Sequence, residues 1–308
     1  MRGAQITGWG AALPEKVVTN HDLSTTLDTT HDWIVERTGI HERRVGGSTS
    51  GLAIEAGRLA MEKAGWEPST VDLVILATTT PDQQVPASAS TVQNELGLTC
   101  GAFDLNAVCS GFAYSLITAH GFIQVGLSRI LVIGADTLSR ITDWDDRGTA
   151  ILFADGAGAV ALEAVEGPGE LLGWDLGSDG SLRHILDADI GGYLNMDGKE
   201  VFRRAVRVMV SSGKAAIERA GLTPDDVDLV IPHQANIRII ESACNKLGIP
   251  LDKAVSVLHR TGNTSAASIP LALADAADSG RLQPGAIVLL VGFGAGMTWA
   301  SAVIRWNP

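Results

Sequence analysis

The sequence predicts an α/β protein built from two similar halves, and three observations carry that prediction. Ala60–Ile75 (AMEKAGWEPSTVDLVI) matches Ala216–Ile231 (AIERAGLTPDDVDLVI) at ten of sixteen positions, with a constant offset of 156 in a chain of 308 residues. Each copy reads as a helix ending at a glycine (Gly65, Gly221), a proline soon after, and a buried strand over Val-Asp-Leu-Val-Ile. A second pair of apolar runs, Ser128–Ala135 and Gly285–Gly292, falls at nearly the same offset and reads as two more buried strands. Helical windows at 51–64, 111–125, 201–220, 237–247 and 265–279 alternate with these strands, which is the pattern of a layered α/β architecture. The offset divides the chain into residues 1–165 and 166–308. Two copies of that length exclude a solenoid.

Composition narrows the class of function. Hydrophobic residues make up 45% of the chain, enough for a sizeable core, and the formal net charge of -12 argues against binding nucleic acid through its phosphates. An acidic protein partner would need a local basic patch. The three cysteines, Cys100, Cys109 and Cys244, are odd in number and widely spaced. They form neither a disulfide framework nor a zinc motif and imply free thiols in a reducing cytoplasm. The start of the chain has no signal-peptide pattern, and no apolar run reaches the roughly 20 residues of a membrane span.

The chemistry-bearing candidates sit at the ends of repeated units. A short strand over 102–105, a turn of small residues and a helix opening near Ser110 place Cys109 at a helix N-terminus. Orphan N–H groups and the helix dipole there favour a thiolate, the nucleophilic form of cysteine, and can also stabilise an oxyanion. A buried structural cysteine is the plainer reading, and it is the one adopted for Cys100 and Cys244. His233 leaves the C-terminal end of the second repeat strand, where α/β sheets place their chemistry. Asn263 lies where the strand and glycine turn of Val255–Gly262 give way to a helix, 154 residues after Cys109. Pseudo-symmetry would bring the two helix starts face to face. Taken singly, Asn263 reads equally as an N-cap and His233 as a core histidine. Together with Cys109 they form a Cys/His/Asn set. His21, His31, His41, His120, His184 and His259 read as structural or surface residues. Gly8-Trp9-Gly10 imitates part of a dinucleotide fingerprint but lacks its third glycine. Asp143–Asp146 reads as an exposed loop rather than a metal cluster.

Several motifs, taken in order, resemble the β-ketoacyl-acyl-carrier-protein synthase III family of the thiolase superfamily. They are Asp32–Ile40, Cys109-Ser-Gly-Phe112, Asp146–Ala150, Phe153–Gly158, His233–Asn236, Gly262–Ala266 and Phe293–Trp299. The resemblance implies a thiolase-like five-layered αβαβα fold with two duplicated halves, and a homodimer. It implies that Cys109 takes an acyl group from acyl-CoA, and that His233 and Asn263 then hold the thioester carbonyl of a malonyl-acyl carrier protein during decarboxylative condensation. Neutral donors suit that step because charge builds on the thioester oxygen while loss of CO2 itself generates the carbanion. The resemblance further implies an oxyanion hole from the N–H groups of Cys109 and Ala295. It places Trp33 against the CoA adenine, Arg37 and Arg147 near its phosphates, and Gly198 and Asn236 along the pantetheine arm. It puts Arg203, Arg238 and Lys246 on a rim that meets the acidic carrier protein. No tightly bound cofactor, metal, nucleic acid or membrane insertion is implied. The alternative is a same-fold acyl-CoA-dependent acyltransferase without decarboxylation, which the joint presence of His233 and Asn263 disfavours. Two departures from the family pattern, a short segment over 182–198 and Val85 in place of a larger aromatic, point to starters beyond acetyl.

Overall fold

A computed structural model describes residues 2–308. The first sheet is made of β1 (Arg2–Ala12), β2 (Leu73–Ala77), β3 (Gly101–Leu105), β4 (Arg129–Thr137) and β5 (Asp155–Glu166), in the spatial order β1-β5-β4-β2-β3. The second contains β6 (Leu171–Ser178), β7 (Leu229–Pro232), β8 (Ile287–Gly294) and β9 (Thr298–Arg305), in the order β7-β8-β9-β6. Six helices matter for the site: α1 (His31–Thr38), α2 (Thr49–Ala64), α3 (Gly111–Gln124), α4 (Gly198–Arg219), α5 (Ile237–Leu247) and α6 (Ser268–Asp278).

The repeat is visible in the pairing. β2 lies parallel to β4, and β4 antiparallel to β5, which pairs antiparallel with β1. In the second half, β7 is parallel to β8, β8 antiparallel to β9, and β9 antiparallel to β6. Only β3 lacks a full counterpart, since a single parallel bridge between Val230 and Ala254 stands in its place. The stretch expected as a strand over 255–258 is therefore irregular and ends in the short helix Leu258–Thr261.

Five layers follow from strands that are buried on both faces. Along β2, Ile75 points into a central core with Phe112, Leu116 and Ile123 of α3, while Val74 and Leu76 point outward against Ala53 and Ala56 of α2. Along β8, Val288 and Leu290 face the same central core with Ile269 and Leu273 of α6, while Leu289 and Val291 face Met209 of α4 and Ile239 of α5. Continuous apolar runs are thus read correctly as strands sandwiched between helices. α3 and α6 form the middle layer, with one sheet and one outer helical layer on either side. Gly8 and Gly10 act in packing rather than in dinucleotide binding: a Cβ there would stand 2.2 Å from Ala60 O and Ala56 O of α2. Gly65 caps α2 in the left-handed conformation. Gly221, expected as a cap, lies one residue past the Ala220 cap of α4.

Candidate active site

The two middle helices start at equivalent junctions. A 3-10 turn over Val108–Ser110 leads into α3, and one over Ser265–Ala267 leads into α6. Val108 and Ser265, the residues that open these turns, have φ of 50° and 51°, a left-handed backbone that non-glycine residues seldom adopt. The junctions touch: a Cβ on Gly111 would lie 3.5 Å from that of Ala266. Cys109 therefore occupies the turn just before α3, and its repeat counterpart, at the 157-residue spacing of the turns, is Ala266 rather than Asn263.

One cavity of about 290 Å³ is lined by Cys109, His233 and Asn263, and runs outward past Gly198 and Asn236 to Trp33 and Arg37. His233 follows β7, anchored by its N–H to Val291 O at 2.8 Å. Its Nδ1 lies 2.7 Å from Ser268 Oγ, and the Phe293 ring meets it edge-on at 5.2 Å. Burial pulls the His233 pKa down to about 3, so the imidazole is neutral. Asn263 is pinned through its backbone to Leu152 O and Ala154 N, both at 2.9 Å, and its Oδ1 accepts the Ser265 N–H at 3.0 Å. That bond fixes the orientation of the amide, whose NH2 is free to donate.

The thiolate expected for Cys109 is corrected. The residue is 7% exposed, and burial pushes the thiol up to about 12, with the Asp136 carboxylate adding to the rise. Loss of water thus works against the lowering that a helix start supplies and favours the protonated sulfur.

Cys109 also borders a second, wider cleft of about 760 Å³ with Phe153, Leu186, Leu194 and Ala295 on its walls. Ala295 thus stands beside Cys109, just after Gly294, whose Cβ position is 2.7 Å from Cys109 N. The segment 182–198 forms a 3-10 helix and a small hairpin: Leu186 borders both cavities, and Ile190 at the tip is 94% exposed.

At the mouth, Trp33 carries two guanidinium groups against its ring, Arg37 at 4.5 Å and Arg147 at 4.8 Å. Arg147 also donates to Asp28 O at 2.8 Å, and Asn236 donates to Arg37 O at 2.9 Å while capping α5. Arg238, in the first turn of α5, has its guanidinium 5.7 Å from the Phe202 ring. Arg203 is paired with Glu200 at 2.6 Å, and Lys246 is exposed in the last turn of α5, away from the mouth.

Three supporting residues escaped the sequence reading. Ser268 is one. Gln234 is another: its amide donates to Pro232 O and Val255 O and accepts from the N–H of Val257 and Leu258, tying the His233 loop to the Asn263 arm. Asp136, wholly buried, accepts from Thr79 N, Thr80 N and Ala266 N, bracing the Asn263 turn against the ends of β2 and β4. Its sequence signal was a carboxylate ending the apolar run Ile133-Gly-Ala-Asp136.

Comparison with known proteins places this site in context. Residues 103–180 match the family model for 3-oxoacyl-[acyl-carrier-protein] synthase III, and residues 217–306 match its C-terminal model. The chain is 49% identical to a β-ketoacyl-[acyl-carrier-protein] synthase III of Sinorhizobium medicae strain WSM419, over 98% of both chains. It superposes on the 3-oxoacyl-[acyl-carrier-protein] synthase III of Aquifex aeolicus VF5 with a TM-score of 0.97 and 43% identity, covering 99% of this chain and all of that one. The priming β-ketosynthase of the R1128 polyketide pathway matches with a TM-score of 0.94 and 36% identity, covering 100% of this chain and 97% of that one.

Proposed function

This chain belongs to the β-ketoacyl-[acyl-carrier-protein] synthase III family and is a condensing acyltransferase of that type, and from that premise we propose how its own residues divide the reaction. Residues 1–165 supply the nucleophile, and residues 166–308 supply the imidazole and the amide. Acyl-CoA enters the first cavity with its adenine on Trp33, its phosphates near Arg37 and Arg147, and its pantetheine arm past Asn236 and Gly198. Cys109 Sγ bonds to the acyl carbon, the bond to the CoA sulfur breaks, and the thiol proton leaves with CoA. The N–H groups of Cys109 and Ala295 hold the intermediate oxyanion. The acyl chain then lies in the second cleft, whose volume of about 760 Å³ exceeds what acetyl needs.

A malonyl thioester on acyl carrier protein enters next, steered by Arg238 and Arg203 at the rim and by Lys246 farther along α5. His233 and Asn263 donate to its thioester oxygen. The bond to CO2 breaks, its electron pair forms the enolate, the enolate carbon attacks the acyl carbon, and the bond to Cys109 breaks as the sulfur regains a proton. No base is required, which fits an imidazole held neutral. The observation that carries this reading is that Cys109, His233 and Asn263 line one cavity, with the Asn263 amide oriented by the hydrogen bond its oxygen accepts from Ser265 N–H, which leaves its NH2 free to donate.

The protein acts as a homodimer in the cytoplasm, without a tightly bound cofactor. Support for the dimer comes from the outer edge of β3, which pairs with no strand among the described residues, and from exposed Val85, Ile190 and Tyr193. Among the described residues, no helix is long and apolar enough to cross a membrane.

The deciding experiment separates the two half-reactions. Cys109→Ser should form no acyl-enzyme from acyl-CoA. Asn263→Ala should acylate normally but release no CO2 from malonyl-acyl carrier protein. Failure of both variants at acylation would break the assignment.

A further inference from the structure

We propose that Ser268 is the positioning residue that fixes His233 as its Nε2–H tautomer, so that the imidazole meets the malonyl thioester oxygen as a donor. The inference rests on the condensation role given to His233 above and goes beyond it by naming what sets that role.

The hydrogen-bond inventory around Ser268 leaves one consistent arrangement. Its Oγ lies 3.3 Å from Gln234 N and 2.7 Å from His233 Nδ1. The backbone N–H can only donate, so Oγ accepts there. The serine proton then needs an acceptor, and among the described residues Nδ1 is the one in reach. The opposite arrangement, Nδ1–H donating to Oγ, would strand that proton in a side chain that is 1% exposed. Nδ1 is therefore the acceptor, and the ring proton sits on Nε2. The serine is held in place because it is the first residue of α6, and because Gln234 is itself clamped by its amide to Pro232, Val255, Val257 and Leu258.

The duplication shows that this contact is a property of two positions, used in only one half. Ser268 lies 157 residues after Gly111, the first residue of α3, and His233 lies 156 after Ala77, the last residue of β2. The same two positions meet in the first half, where a Cβ on Gly111 would stand 3.1 Å from Ala77 Cβ. There the pair is a hydrogen atom and a methyl group, which can exchange no proton. In the second half the same juxtaposition holds a hydroxyl and an imidazole.

The tautomer also constrains the first half-reaction. An Nε2 that already carries a proton cannot take one from Cys109, so His233 serves condensation rather than thiol activation. Loss of the hydroxyl should leave acylation intact and weaken decarboxylation.

The test uses the intact enzyme labelled with 15N-histidine. The His233 ring nitrogens should show a protonated Nε2 and an unprotonated Nδ1 in the wild type, and a mixture of tautomers in Ser268→Ala. Acylation of Cys109 by acyl-CoA in Ser268→Ala should stay within about twofold, while CO2 release from malonyl-acyl carrier protein falls roughly tenfold, the loss expected for one buried hydrogen bond. Ser268→Thr, which keeps the hydroxyl, should recover most of that loss. Wild-type His233 found as the Nδ1–H tautomer overturns the proposal, even where Ser268→Ala fails to fold. So does a folded Ser268→Ala enzyme that decarboxylates at the wild-type rate. A wild-type enzyme that acylates but never releases CO2 would instead overturn the condensation role, whichever tautomer the spectrum shows.

Discussion

Gly294→Ala offers a quantitative test of how the acylation site is built. The φ of Gly294 is one that any residue can adopt, so the change acts through space alone. The added Cβ would stand 2.7 Å from Cys109 N, 3.0 Å from Thr298 Oγ1 and 3.1 Å from Ala107 O, against 3.4 Å for ordinary contact. The Thr298 hydroxyl cannot swing aside freely, since it is bonded to Ala107 O at 3.0 Å and lies 2.8 Å from Ser110 Oγ. Relief therefore falls on the backbone of Cys109, which must retreat by about 0.7 Å, and misplacement on that scale costs on the order of 10²-fold in rate. Because the retreating atom is also the proposed oxyanion donor, the fall in acylation should reach about 10²–10³-fold. Stability should fall by only about 1–3 kcal/mol, the usual cost of overpacking. Single-turnover acylation followed by intact mass gives the rate, and titration with CoA should show affinity within about twofold because the adenine end is remote. A folded variant that acylates within threefold of the wild type would refute the assignment of the Cys109 N–H.

Other outcomes follow from the same geometry. Trp33→Ala should raise KM for acyl-CoA about tenfold, from the loss of roughly 1–3 kcal/mol of base stacking, while an acyl-pantetheine substrate is unaffected. Asp136→Ala should cost about 3 kcal/mol or more by urea denaturation, because the buried N–H groups of Thr79, Thr80 and Ala266 lose their acceptor. Burial raises the Glu170 carboxyl to about 7 even though it accepts from Ile6 N and Asn307 N, so the folded protein holds a proton there that the unfolded chain has released by that pH. Stability from this group is therefore greatest at acid pH and is lost as pH rises through 7. Between pH 6 and 8 the wild type should lose about 1 kcal/mol more than Glu170→Gln. Acyl-CoA chains of several carbons should acylate Cys109 alongside acetyl-CoA, and strict selectivity for acetyl would show that the second cleft is not the starter site.

Much of this molecule was legible because duplication writes structure twice. The shared pattern of a proline, two variable residues and Val-Asp-Leu-Val-Ile located β2 and β7 and made the position of His233 interpretable. Cys109, His233 and Asn263 do line one cavity. What escaped was whatever depends on the environment rather than on residue type. A helix start beside a cysteine argues for an anion, but the sequence does not show that the side chain is sealed from water. Ser268 looked like one more small residue in Asn263-Thr-Ser-Ala-Ala-Ser268, because its importance lies in a neighbour 35 positions earlier. The arm over 255–258 read as a strand from its valines, yet the one bridge there is at Ala254, just before it, and Gln234 accepts the N–H groups of Val257 and Leu258 instead.

The neutral imidazole has a consequence for how acidity reaches the enzyme. A ring pulled down to about 3 and a carboxamide carry no charge to gain or lose across the range in which cells live. Carbon–carbon bond formation should then keep the same intrinsic rate whether the surroundings are mildly acid or mildly alkaline. Sensitivity is confined to the sulfur, whose proton is hard to remove. A shift in acidity would change how fast starters are loaded while leaving untouched how fast loaded starters are extended.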